Sequence, residues 1–164
     1  MLKAGERMDD SGRLRRVVNL PADLDLLEPA ERVVVEAFLR WARSNGAESG
    51  YIARHRRAWW AVSLYEPAPI VCTYMARQPP AFVRNICAAR HLNIAHGLYP
   101  RQPLQEAEFM GLVRYLRANV PMTRGRTYAG GLVKFEPKEL ERIPIPGLEA
   151  LQYEVTANLD GKAA

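Results

Sequence analysis

Residues 124–146 read Arg-Gly-Arg-Thr-Tyr-Ala-Gly-Gly-Leu-Val-Lys-Phe-Glu-Pro-Lys-Glu-Leu-Glu-Arg-Ile-Pro-Ile-Pro, and this stretch constrains the backbone more than any other in the chain. Gly130-Gly131 is the only glycine pair, and such a pair serves a turn or a close approach to the backbone. Leu132, Val133 and Phe135 spell a short strand interrupted by Lys134. Pro137 suits a first helical turn, where its missing N–H would be unpaired anyway. Residues 138–142 supply about one and a half turns. Pro144 and Pro146 then forbid continuation and force an extended exit. Arg124, Arg126 and Lys134 flank the glycines, so a phosphate chain is one candidate for what approaches them.

The distribution of charge points the same way. The chain carries a net +5, but residues 51–134 hold twelve basic and three acidic side chains, and all of those cations except Lys134 are arginines. The flanking regions are near neutral or acidic. A basic centre suits a polyanion, and the guanidinium fork reads phosphates and guanine edges. With 164 residues the expectation is one domain with short tails: a polar N-terminal segment over 1–19, a folded body over 20–150 and a tail over 151–164. Arg13, Arg15 and Arg16 in the first segment read either as part of a leader or remnant, or as a DNA-gripping arm.

From 29 to about 45 the spacing predicts a helix, with Val34, Phe38 and Trp41 on one stripe, Val33 and Ala37 beside it, and Gly46 as the stop. This helix reads as scaffold. Residues 54–57, Arg-His-Arg-Arg, lead into Trp59 and Trp60 and form the densest basic–aromatic cluster. Arg54, Arg56, Arg57 and Trp60 read either as a phosphate clamp or as a solvated turn over a core tryptophan. Strands are predicted over 59–64, 68–74, 81–87 (with Arg84 mid-way) and 92–99 (with Asn93 and His96). Arg77 and Pro79-Pro80 mark a loop. A second helix over 103–119 buries Phe109, Leu112, Val113 and Leu116 and turns Arg114 and Arg117 away. The order predicts an α+β domain with a twisted, mainly antiparallel or mixed sheet and two amphipathic helices. Cys72 and Cys87 sit among apolar neighbours as reduced thiols, and the three histidines have no zinc-site spacing.

The closing stretch resembles the end of the target-recognition region of N6-adenine DNA methyltransferases from restriction–modification systems. Arg126, Tyr128, Gly130, Gly131, Leu132, Lys134, Phe135, Glu136, Pro137, Glu139, Leu140, Ile143, Pro144, Ile145 and Pro146 fit that pattern, with Ala129 in place of a glycine. A looser form ends the recognition domains of type I specificity subunits. Similar domains carry Tyr-x-x-Arg-x-x-Arg-x-x-Trp, matched here by Tyr51, Arg54, Arg57 and Trp60, and a Leu-Asn-x-x-His segment, matched by Asn93 and His96. The resemblance covers about residues 30–150. It implies that Arg54, Arg56, Arg57, Trp60, Arg77, Arg84, Asn93, Arg124, Arg126, Tyr128, Gly130, Gly131 and Lys134 contact double-stranded DNA.

An adenine methyltransferase also needs a glycine-rich loop for S-adenosylmethionine and an Asn/Asp-Pro-Pro-aromatic loop for the flipped base. The one Pro-Pro here, in Arg77-Gln-Pro-Pro-Ala81, lacks the preceding amide and the aromatic after it. The expectation is a recognition module that is not an enzyme on its own. It needs no cofactor itself, and S-adenosylmethionine belongs on a separate catalytic domain or subunit. The alternative is a protein-interaction or regulatory remnant of such a system, its basic face meeting an acidic protein. No apolar run approaches a membrane span and no apolar signal region opens the chain, so the prokaryotic cytoplasm is the expected location, without a membrane partner.

Overall fold

A computed structural model describes residues 5–9, 12 and 14–151. Arg13, and the packing expected of Tyr153 and the rest of the tail, lie outside the described residues. The architecture is α+β, as expected. Residues 15–64 form one compact unit and the remaining described residues another.

In the larger unit a mixed sheet runs in the order β1 (Arg7–Met8), β4 (Phe82–Asn85), β2 (Ile70–Thr73), β5 (Ala95–Leu98). β2 pairs antiparallel with β4 and β5, and β1 pairs parallel with β4. β1 has no signature in the sequence, because two residues show no periodicity. Long-range bonds hold it: Glu6 pairs with Arg114 at 2.9 Å, and Arg117 donates to the carbonyls of Gly5 and Phe82. Arg114 and Arg117, expected to turn away from the core, are therefore half-buried staples.

Alternation along β2 and β4 sends side chains to both faces of this sheet. Ile70, Cys72 and Phe82 meet Phe109, Val113 and Leu116 of α3 (Glu106–Asn119), while Val71 and Val83 pack with Ala68 and Met8 in a second cluster. Burial on both sides accounts for the near-continuous apolar run of β2. It also pushes the Cys72 thiol up to about 12, consistent with an inert core residue. α3 opens with a capping box, in which Glu108 accepts from the Gln105 N–H at 2.7 Å.

The closing stretch folds into a second, antiparallel sheet in the order β3 (Met75–Ala76), β7 (Leu132–Lys134), β6 (Arg126–Tyr128). α4 (Pro137–Leu140) follows with Pro137 in its first turn, as the sequence predicts.

In the smaller unit α1 spans Pro29–Ser44 and stops at Gly46, whose φ of 77° is the left-handed conformation that favours glycine. The stripe expected to be its core face is exposed, however. Leu39 and Ala42 are the buried residues of α1, while Val34 and Trp41 are more than 60% exposed. A helix apolar around most of its circumference does not reveal which stripe its own unit uses. Residues 51–54 form the single turn α2 (Tyr51–Arg54). The strand predicted over 59–64 is absent: Ser63 has a φ of 53°, outside the extended region, and no ladder partner faces it.

Candidate nucleic-acid interface

Two groups of basic residues emerge, one in each unit. In the larger unit the residues of the closing stretch form a hairpin, with Arg126 opposite Lys134, Thr127 opposite Val133 and Tyr128 opposite Leu132. Gly130 and Gly131, at φ 73° and 71°, make the tip, and a Cβ at either would meet open space. Their conformation, not crowding, demands glycine. Ala129 is not at positive φ, so the alanine there costs the turn nothing. Left-handed backbone costs other residues about 1–2 kcal/mol, more for a β-branched one. Gly130→Val is therefore expected to destabilise the larger unit by about 2 kcal/mol or more, read as a lowered thermal midpoint.

All three β6 residues, including Arg126 and Tyr128, are exposed. Arg77, from the loop after β3, donates through Nε to the Gly130 carbonyl at 3.3 Å and leaves most of its fork free. Arg124 is exposed just before β6. The structure thus brings Arg77, Arg124, Arg126, Tyr128, Gly130, Gly131 and Lys134 to one hairpin and its approaches.

Two of these cations are matched internally. Arg126 Nε lies 2.7 Å from Glu139, and Lys134 Nζ 2.6 Å from Glu136 and 5.0 Å from the Tyr74 ring centroid. Both cations are held above their ordinary pKa, chiefly by these carboxylate hydrogen bonds. The Glu139 carboxyl is held below the usual range, first by the backbone N–H of Glu136 and then by Arg126. A depressed carboxylate pKa stabilises the fold above the ordinary value, and that stabilisation is lost as the pH falls through the lowered one. The Glu139–Arg126 bridge between helix and hairpin is therefore expected to weaken in acid.

The smaller unit holds a shallow, open depression of about 490 Å³, lined by Glu48, Ser49, Ala53, Arg54, Arg56, Arg57 and Trp59. Glu48 is already paired with Arg43 at 2.7 Å, so it does not cancel the three arginines. These are exposed and have no carboxylate partner among the described residues. Trp60, singled out from the sequence, is half-buried and donates its indole N–H to the Pro21 carbonyl at 2.9 Å. Trp59 lines the depression instead. Both rings are half-buried, and the double tryptophan signalled the place but not which of the two borders the depression.

The remaining residues stand apart from these groups. Arg84 is held within the protein by Glu106 at 2.9 Å, by the Pro69 carbonyl at 2.9 Å and over the Phe109 ring at 4.2 Å. Asn93 is exposed in the turn before β5. His96 meets the Phe135 carbonyl at 2.7 Å and the edge of Tyr74, a structural engagement.

Among the described residues no group of three His, Cys, Asp or Glu converges on a metal position, and no helix is long and apolar enough to cross a membrane. Gly130 and Gly131 cap a hairpin rather than join a strand to a helix N-terminus.

Residues 7–163 match the family described as the C-terminal domain of type II methyltransferase M.Eco57I. The chain is 56% identical over 151 residues to the type II methyltransferase M.XamI of Xanthomonas campestris pv. amaranthicola. That alignment covers 92% of this chain and only 29% of M.XamI. No solved structure matches.

Proposed function

This chain belongs to the family of C-terminal domains of the M.Eco57I type of methyltransferase, and we propose that within that family it is the module that grips duplex DNA for target recognition. It is methyltransferase-related. The adenine specificity implied by the resemblance, and the chemistry itself, belong in this reading to a separate catalytic portion that binds S-adenosylmethionine. The observation that carries the proposal is the set of exposed arginines without carboxylate partners: Arg54, Arg56 and Arg57 around one depression, Arg77 beside the Gly130-Gly131 tip, and Arg124 just before β6 at the other end of that hairpin.

Backbone phosphates are bound by such unmatched cations, and contacts to them fix register on the duplex without reading sequence. Sequence reading falls in this account to exposed polar and aromatic side chains nearby, Tyr128 and Asn93 among them. A firm grip also offsets the few kcal/mol needed to turn a base out of the stack.

Anisotropy titrations with a labelled 20–25 base-pair duplex and with polyglutamate of comparable charge test the reading, the duplex being long enough for about two helical turns. Tighter binding to the duplex is expected. Equal or tighter binding to polyglutamate would instead favour an acidic protein as the partner.

A further inference from the structure

α1 carries more apolar surface than its own unit covers. At 3.6 residues per turn Val35, Leu39 and Ala42 form one stripe, and Leu39 and Ala42 are buried. Ala30, Val34, Phe38 and Trp41 form a second stripe about a third of a turn away, flanked by Val33 and Ala37. Val34 is 68% exposed, Trp41 62% and Phe38 39%. The Phe38 and Trp41 ring centroids lie 5.9 Å apart, so the patch is continuous. On the helix's polar arc Arg32 pairs with Asp25 and Glu36, and Arg43 with Glu48.

A helix apolar on two faces calls for two partners. Duplex DNA does not suit the second face, since protein surfaces that meet DNA are polar and positively charged and this stripe holds no cation. A second copy of the chain does not suit it either. Sixteen residues make a face about 24 Å long and about 12 Å wide. Two such faces bury roughly 600 Å², half of the ~1,200 Å² at which stable interfaces begin. A tethered domain has a lower requirement: interfaces within a chain start near 600 Å², because linkage supplies a high effective concentration. In M.XamI the segment matching this chain is 29% of the protein and is joined to a remainder more than twice its length.

We infer that the exposed stripe of α1, centred on Val34, Phe38 and Trp41, is the seat of the methyltransferase portion that forms the rest of such proteins. The inference rests on the family and on apolar area; the DNA reading rests on the arginines. The two can therefore fail separately.

The test compares this chain alone with full-length M.XamI in which the matching segment is replaced by this chain, a DNA-methylating chimera being the folded reference. Hydroxyl-radical labelling of Phe38 and Trp41 should be strong in the chain alone. In the chimera it should fall about tenfold, as Trp41 passes from exposed to the few per cent typical of cores. Trp41→Glu in the chimera should split one unfolding transition into two, Trp41→Phe should restore a single one, and Trp41→Glu should leave duplex binding by the chain alone unchanged. Equal labelling in the chimera and in the chain alone overturns the inference. So does protection of Trp41 in the chain alone, whether it appears at all concentrations or only as the chain self-associates.

Discussion

Replacing Arg54, Arg56 and Arg57 together with alanine is expected to weaken duplex binding by about a thousandfold at low salt while leaving the thermal midpoint unchanged. Each charge-assisted contact contributes about 1.5 kcal/mol or more, and about 1.4 kcal/mol is a factor of ten in affinity. The three side chains line one depression and are exposed without carboxylate partners, so their removal leaves no buried charge orphaned. The loss should be uniform across DNA sequences, because phosphate contacts carry no base information. Arg84→Ala is the contrasting variant. Its guanidinium bridges Glu106, the Pro69 carbonyl and the Phe109 ring, so stability rather than DNA affinity should fall. Electrophoretic and anisotropy titrations, paired with thermal unfolding, separate the two behaviours.

Phe82→Ala should lower the stability of the larger unit by about 3–5 kcal/mol, the usual cost of truncating a fully buried aromatic. Phe82, the first residue of β4, is completely inaccessible and packs with Ile70 and Cys72 of β2 and with Val113 and Leu116 of α3. Domains have only about 5–15 kcal/mol of total stability, so a loss of this size populates the unfolded state well below the normal midpoint. Denaturant unfolding should show a lowered midpoint at unchanged slope, which marks a change in stability rather than in the compactness of either state.

Where local chemistry dictates the backbone, the sequence was a sufficient guide. Pro137 opens α4, Gly46 stops α1, and Gly130-Gly131 turn a hairpin at positive φ. The apolar runs around Ile70 and Phe82 became the two strands that share the core. What escaped was set by partners distant in the chain. β1 exists because Glu6 and the Gly5 carbonyl meet arginines of α3 more than a hundred residues away. The tryptophan pair looked like a strand, but Ser63 bends that backbone away and residues 59–64 stay irregular. The choice between Trp59 and Trp60 turned on one hydrogen bond to Pro21 that no spacing encodes. Arg84 and Lys134 read as free cations, yet Glu106 and Glu136 hold them. A charge count taken from sequence alone overstates the cationic surface by such pairs.

The salt dependence of duplex binding tests the account most directly. If the five arginines Arg54, Arg56, Arg57, Arg77 and Arg124 each neutralise one phosphate, the logarithm of the association constant should fall with the logarithm of salt concentration at a slope of about −4.5. A grip through the depression of the smaller unit alone gives about −2.7. Either slope, shallower by about one for each of these arginines removed, is the expected result. A slope near zero, or one that the arginine replacements leave unchanged, would contradict the claim that these exposed guanidinium groups exist to hold a DNA backbone.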